Sequence, residues 1–192
     1  MKKLEIIFIL FFLFGLLACE NIQVPKEKGY PRIELPNHTY SVYQKSGCRY
    51  TFEYPSFGQI GYHDPDSCWM DIYYPQFNCN WHITFRDLNK EGHSRNEEFE
   101  EYRRLIYKHT IKASEIRETP VKTNHTKGIF FEMYGNVPTS AQLFLTDPAE
   151  KYSMEVAFYF FTSMKNDSLA PVIDFMKEDL LHLVETIRFE EE

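Results

Sequence analysis

Alternation of apolar and polar residues marks the strands in the first half of the chain. Residues 50–54 alternate and stop at a proline, and residues 81–85 alternate again. Between them, residues 69–74 carry bulky apolar groups on both faces and also end at a proline. Such short runs bounded by breakers are typical of strands. We therefore expect three strands, of which the second and third form a hairpin through residues 76–80.

The period then changes to that of a helix. Ser94 and Glu97 form a capping-box pattern, and apolar or aromatic residues recur at three- and four-residue spacing after it. This pattern predicts an amphipathic helix over about residues 95–112. Three segments rich in aromatic and β-branched residues follow, at 128–135, 141–146 and 153–161. They predict three further strands.

The last segment predicts the longest helix. Asp167 or Ser168 can cap it, and Pro171 is tolerated in its first turn. A continuous apolar face then follows, made of Leu169, Val172, Ile173, Met176, Leu180, Leu183, Val184 and Ile187. Taken together, the pattern predicts an α+β fold in which an antiparallel sheet packs against two main helices. The order of hairpin, helix, meander and final helix resembles the PsbP/Mog1-like arrangement.

The first nineteen residues have the pattern of an export signal. Lys2 and Lys3 precede an apolar run over residues 6–17, which is short for a membrane-spanning helix. The run ends in Leu-Leu-Ala-Cys, which resembles a bacterial lipobox. This resemblance implies a lipoprotein signal over residues 1–18 and acylation of Cys19 by chains such as palmitate. An ordinary signal peptide or a single-span anchor is the alternative. Residues 19–29 are expected to form the lipidated terminus and linker, and residues 30–192 a single domain.

The net charge of the chain indicates which partners its surface can contact. The 192 residues carry a net charge of −7, and removal of Lys2, Lys3 and Glu5 with the signal makes it −8. An acidic surface argues against nucleic acid, which attracts basic patches. It is also repelled by anionic lipid headgroups, so the expected membrane contact is the lipid alone. Glu20 does not match an aspartate retention signal. This favours the outer membrane, on its periplasmic side rather than at the cell surface.

Three cysteines remain once Cys19 is assigned to lipid. They are Cys48, Cys68 and Cys79. In an oxidising envelope this odd number predicts one disulfide and one free thiol. The sequence leaves the pairing open.

No pattern of residues predicts catalysis, a metal or another cofactor. Cys79 and His82 have a ligand-like spacing but lack further ligands, so His82 is interpreted as a hydrogen-bonded sheet residue. Residues 64–66 (Asp-Pro-Asp) lack the spacing of a calcium loop and predict a turn. There is no Gly-x-Ser-x-Gly motif. We therefore expect a protein that is not an enzyme, with a hydrolase whose residues assemble only in space as the alternative.

Aromatic residues cluster around the predicted hairpin. Trp69, Tyr73, Tyr74 and Phe77 belong either to the core or to a surface that contacts a partner. In the second case, an envelope module that binds carbohydrate or peptidoglycan fragments is the alternative function. Separately, Asp167-Ser168-Leu169 looks like the O-glycosylation pattern of Bacteroidetes envelope proteins. It makes Ser168 a candidate glycan site, although a helix cap explains the same residues.

Several segments in order resemble the gliding motility lipoprotein GldD family of Bacteroidetes. They are YPRIELP at residues 30–36, CRYTFEYP at 48–55, CWMDIYYP at 68–75, GNVP at 135–138, LTD at 145–147 and NDSLAPVI at 166–173. Glu155 departs from the family pattern. The resemblance implies a non-enzymatic, lipid-anchored accessory component of the gliding machinery, whose core is shared with type IX secretion. Its expected partners are other gliding or secretion proteins of the envelope, contacted through protein–protein interfaces.

Overall fold

A computed structural model describes residues 32–62, 68–161 and 166–190, excluding the side chains of residues 109–110 and 166–168. The strands are β1 (Tyr40–Gln44), β2 (Tyr50–Pro55), β3 (Gln59–Tyr62), β4 (Met70–Tyr74), β5 (Cys79–Asp87), β6 (Ala113–Lys122), β7 (Lys127–Gly135), β8 (Thr139–Thr146), β9 (Tyr152–Phe160) and β10 (Arg188–Phe189). The helices are α1 (Leu88–Glu91), α2 (Arg95–Tyr107) and α3 (Asn166–Thr186).

Seven of these strands form one large antiparallel sheet. Its order is β3-β4-β5-β9-β8-β7-β6. The predicted hairpin is present, because β4 pairs with β5 and Tyr74 lies opposite Cys79. After α2 the chain enters at the far edge as β6 and returns strand by strand to β5. The expected α+β class with an antiparallel sheet is therefore confirmed.

The larger hydrophobic core lies on what we call the inner face of the large sheet. Alternate residues of β4, β5, β8 and β9 point into it, and Trp81, Ile83 and Phe158 are fully buried there. Helix α3 covers this face together with a small sheet of order β1-β2-β10. Every residue of the apolar face predicted for the last helix is buried. The alternation read from the sequence is thus the alternation of inner and outer faces.

Helix α2 packs on the opposite, outer face of the large sheet. Ser94 and Glu97 form the expected capping box at its start. Tyr102 and Ile106 pack on Phe131 and Phe144 in a second, smaller apolar cluster. The α-helix ends at Tyr107 and continues as a 3-10 turn over Lys108–Ile111, close to the predicted end at 112. The two helices therefore cover opposite faces of the sheet.

A disulfide joins the small sheet to the large one. Cys48, in the turn between β1 and β2, is bonded to Cys68, just before β4, with the Cα atoms 5.5 Å apart. The Tyr50 hydroxyl donates to the Cys68 carbonyl oxygen across the same junction. Cys79 is a free, fully buried thiol on the inner face. The expected single disulfide is present, and the pairing that the sequence left open is Cys48–Cys68.

The buried carboxylate of Asp179, on α3, forms hydrogen bonds with the segment that leads into β1. Asp179 Oδ1 lies 2.7 Å from His38 Nδ1 and accepts from the Tyr40 hydroxyl at 2.9 Å. The His38 ring also stacks on Phe175, with ring centroids 4.2 Å apart. Burial raises the pKa of Asp179, and its two hydrogen-bond partners oppose that rise. Residues 38–40 are thereby held against the helix.

The outer face of the large sheet as a candidate binding site

Helix α2 leaves part of the outer face accessible, across β4, β5 and β9. Strand register sets side chains of these strands side by side in rows, as with Tyr73, Asn80 and Tyr159. The next row contains Asp71 and His82. We call this region the outer sheet face; its members are Asp71, Tyr73, Asn80, His82, Thr84, Arg86, Glu155 and Tyr159. The strand register thus places these polar side chains on one face.

One end of the outer sheet face is aromatic. The Tyr73 and Tyr159 rings are half-buried, and each meets Phe161 edge-on, with ring centroids 5.6 Å and 5.4 Å apart. Phe161 is 55% exposed, and its backbone N–H donates to the Asn78 carbonyl oxygen at 3.1 Å. We call Tyr73, Tyr159 and Phe161 the aromatic end. Its rings are held in place while part of their surface stays open to solvent.

A buried amide lies beneath the aromatic end. Asn80 is only 2% exposed, and its Nδ2 donates to Asp71 Oδ1 at 2.7 Å and to the Tyr159 hydroxyl at 3.0 Å. Its Oδ1 is buried and accepts no hydrogen bond. Buried acceptors are normally satisfied. Among the residues that the structure describes, none therefore satisfies the Asn80 oxygen.

The middle of the outer sheet face is a hydrogen-bonded row. His82 Nδ1 lies 2.9 Å from Asp71 Oδ1, and His82 Nε2 lies 3.4 Å from Thr84 Oγ1. The order of carboxylate, imidazole and hydroxyl resembles that of a hydrolase, but a base and its nucleophile are expected within about 2.6–3.2 Å. The row fits the interpretation of His82 as a hydrogen-bonded sheet residue. Cys79 points into the opposite, inner face, so it cannot share a metal with His82.

The other end of the outer sheet face is charged. Arg86 Nε lies 2.7 Å from Glu98 Oε1 of α2, and its Nη1 donates to Glu91 at 3.3 Å. Glu155 lies beside this group, and burial raises its pKa to about 7. The positive charge of Arg86 lowers the pKa of Glu155, whereas Glu98 raises it further. Among the described residues, no group of three or more His, Cys, Asp or Glu side chains could hold a metal. The role that these contacts show is structural, because the Arg86–Glu98 pair holds α2 against the sheet.

The raised pKa of Glu155 predicts a pH-dependent stability. The folded chain holds this proton more tightly than the unfolded chain does, so the stabilisation is complete below pH 4.5 and is lost as the pH rises through about 7. The side chain of Glu155→Gln stays neutral at every pH. We therefore expect the free energy of unfolding of this variant to gain on the order of 2–3 kcal/mol over that of the wild type when the pH is raised from 5 to 8. Urea unfolding at both pH values measures the difference. Glu100→Gln, an exposed carboxylate of α2, is the matched control and should show no such gain.

The structure divides the residues expected to contact a partner. Trp69 is 40% exposed, and its Nε1 donates to the Phe85 carbonyl oxygen at 2.7 Å. Tyr73 is half-buried on the outer sheet face. Tyr74 and Phe77, at 0% and 8% exposed, belong instead to the larger core. Of the two alternatives that the sequence left open, the core therefore holds Tyr74 and Phe77. Tyr74 points inward because alternate residues of β4 face opposite sides of the sheet, and Phe77 lies in the 3-10 turn that follows β4.

Other predicted sites lie outside the described residues. They are Cys19 with its signal and linker, the 64–66 turn, and the side chain of Ser168. Conversely, sequence reasoning missed Asn80, Tyr159 and Phe161 as members of a shared surface. Tyr159 and Phe161 both lie within the predicted strand 153–161, although β9 ends at Phe160, and only the pairing of β9 with β5 brings them to Tyr73.

Comparison with known families decides where the chain belongs. The model of a family described as gliding motility lipoprotein GldD matches residues 20–189. The chain belongs to the GldD family. Membership makes this GldD-family protein a lipoprotein related to gliding motility, and it fits lipid anchoring in the cell envelope. Among curated proteins, no match was found.

One solved structure similar to this GldD-family protein is that of the PsbP protein CyanoP from Synechocystis sp. PCC 6803. The likeness has a TM-score of 0.44 and 6% sequence identity, and it covers 81% of this chain and 95% of that chain. Within the part of the GldD-family chain that the structure describes, no helix has the length and apolar character needed to cross a membrane.

Proposed function

We propose that the chain is a lipid-anchored, non-enzymatic accessory component of the gliding motility and type IX secretion machinery. It acts through protein–protein contacts on the periplasmic side of the outer membrane, with other gliding or secretion proteins of the envelope as partners. The observation that carries the proposal is the family match over residues 20–189, which begins directly after the lipobox cysteine, Cys19.

The chain between Cys19 and the described domain supports a tethered mode of action. Thirteen steps of chain separate Cys19 from Arg32, and an extended chain spans at most about 3.5 Å per residue, or roughly 45 Å here. The acidic domain is repelled by anionic headgroups. Acyl chains, each stabilised by about 0.8 kcal/mol per buried methylene, would therefore hold the domain near the bilayer while leaving its surfaces available to partners.

Relocating the chain away from the lipid tests the proposal. An ordinary cleavable signal in place of residues 1–18, combined with Cys19→Ala, should move the protein from the membrane to the soluble periplasmic fraction. We expect secretion and spreading to fall to the level of a deletion strain, because the tether is lost. Glu20→Gln, next to the lipidated residue, is the control and should leave fractionation and function unchanged. Full function of the soluble form would show that anchoring has no part in the mechanism.

Crosslinking of intact envelopes tests the partner claim. A tagged wild-type chain, crosslinked and purified under denaturing conditions, should retain specific envelope proteins of the gliding or secretion machinery, identified by mass spectrometry. The soluble Cys19→Ala form should retain fewer of them. Recovery of the tagged chain alone under both conditions would contradict a function based on protein contacts.

A further inference from the structure

Helix α2 is held on the outer face of the large sheet by few side chains. Its buried residues are Glu98, Tyr102 and Ile106, and one of these three is a carboxylic acid. Helix α3, by contrast, buries a continuous apolar face in the larger core. Segments that bury little apolar surface open at a lower free energy than the core does. Helix α2 is therefore able to open while the rest of the fold stays closed.

Two carboxyl groups meet between α2 and the sheet. Strand register sets Glu155 of β9 beside Phe144 of β8. The Phe144 ring contacts Phe99 and Tyr102 of α2, at centroid distances of 5.3 Å and 5.8 Å. Glu155 thus lies beneath the helix, where its carboxyl group shares a hydrogen bond with that of Glu98. An ionised carboxylate only accepts hydrogen bonds, so the closed helix holds one proton between the two groups.

The surroundings of this pair are rich in negative charge. Glu98 Oε1 lies 2.7 Å from Arg86 Nε, and Glu98 Oε2 lies 3.1 Å from His93 Nδ1. The charged and titratable groups around the pair are Arg86 of β5, Glu91 of α1, His93 in the turn before α2, and Arg95, Glu101 and Tyr102 of α2. With Glu155 ionised, the carboxylates of this group outnumber its guanidinium groups. Glu98 is only 4% exposed, so water screens their repulsion poorly.

We propose that α2 is a pH-sensitive cover of the outer face of the large sheet, closed while Glu98 and Glu155 share a proton and open once that proton passes to solvent. Opening hydrates both carboxylates. It also lets water reach the buried Tyr102 hydroxyl, which forms no hydrogen bond with any residue that the structure describes. The side chains that it uncovers are Phe131 and Phe144, both fully buried while the helix is closed. The cover controls how much apolar surface the chain presents, and it does not depend on the lipid anchor or the partners proposed above.

The pH at which the cover opens is set by Glu155. Burial raises the pKa of Glu155 from 4.5 to about 7 in the closed state, whereas an open helix leaves this carboxyl group hydrated. The closed state therefore holds the proton more tightly than the open state does. The stabilisation of the closed state is complete below pH 4.5 and is lost as the pH rises through about 7. Between these limits, the equilibrium constant for opening rises by up to about tenfold per pH unit.

Hydrogen exchange on the full lipidated chain in lipid nanodiscs measures the opening. After correction for the intrinsic exchange rate, the opening constant of the Tyr102 and Ile106 amides should rise roughly 10- to 100-fold from pH 5 to pH 8. In Glu155→Gln, whose side chain cannot ionise, the rise should shrink to less than about 3-fold. Glu100→Gln removes an exposed carboxylate of the same helix. This control should keep the rise of the wild type.

Three outcomes overturn the proposal. The first is an opening constant of the wild type that does not change with pH. The second is a rise that persists in Glu155→Gln, because His93 or another group would then carry the pH dependence. The third is exchange of the α2 amides only at the rate that global unfolding allows, as measured by urea unfolding at the same pH. In that case the helix would not open on its own.

Discussion

Replacing Tyr74 with alanine is expected to lower the free energy of unfolding by about 3–5 kcal/mol. Tyr74 is fully buried in the larger core, and its ring contacts Phe57 and Trp81 at centroid distances of 5.5 Å and 5.2 Å. Truncation removes these contacts and leaves a cavity in the larger core, on the inner face of the large sheet. Urea unfolding at fixed pH measures the loss.

Tyr73, the neighbour of Tyr74 in the sequence, provides the control. Tyr73 lies on the outer sheet face and is half-buried, so Tyr73→Ala should cost only about 1 kcal/mol. Tyr74→Phe should be neutral or slightly stabilising, because no residue in the described part of the chain forms a hydrogen bond with the buried Tyr74 hydroxyl. If Tyr73→Ala were the more damaging of the two alanine variants, the assignment of β4 residues to the two faces would be wrong.

Removing the disulfide is expected to have the second large effect. The Cys48→Ser, Cys68→Ser double variant should lose about 3 kcal/mol of stability, because the bond closes a loop with a sequence separation of 20 residues in the unfolded chain. The loss should be seen as a lower urea midpoint under non-reducing conditions. The large sheet keeps its own core, so the variant is expected to remain folded at low urea.

Reductant supplies the internal comparison for this prediction. Dithiothreitol should lower the midpoint of the wild type towards that of the double variant and leave the double variant unchanged. Cys79 is a buried thiol whose pKa is raised by burial, so it should react with a thiol reagent only when the chain unfolds. A wild-type midpoint that is insensitive to reductant would mean that the bond adds nothing to stability.

Strands with one buried face could be predicted from the sequence, and edge strands could not. The alternation of β2 and β5 and the apolar face of α3 each report burial on one side, which leaves a periodic pattern. Strand β6 has polar or charged residues on both faces and contains Pro120, because it lies at the sheet edge and packs little. Strands β1 and β3 are short, and β10 has two residues. The small sheet was therefore missed, although its β2 was expected.

The outer sheet face could not be predicted from the sequence, for a different reason. Tyr73 is close in sequence to Asn80, but the predicted hairpin placed Asn80 in its turn, whereas β5 already begins at Cys79. Tyr159 and Phe161 lie about eighty residues further along, and their place depends on the pairing of β9 with β5. No local pattern encodes which strand of a meander returns to the centre of the sheet. The unsatisfied Asn80 oxygen is likewise visible only once its neighbours are known.

The last strand has a consequence for how the chain is assembled. Arg188 and Phe189 of β10 pair with Thr51 and Tyr50 of β2, so the small sheet is completed only by residues that follow β2 by more than 130 positions. Contacts this distant in sequence form late, after nearby segments have ordered. The loop closed by Cys48 and Cys68 can be oxidised much earlier. A newly made chain would thus carry the Cys48–Cys68 disulfide before α3 and β10 close the core, and during that interval its apolar helix face is open to chaperones and proteases.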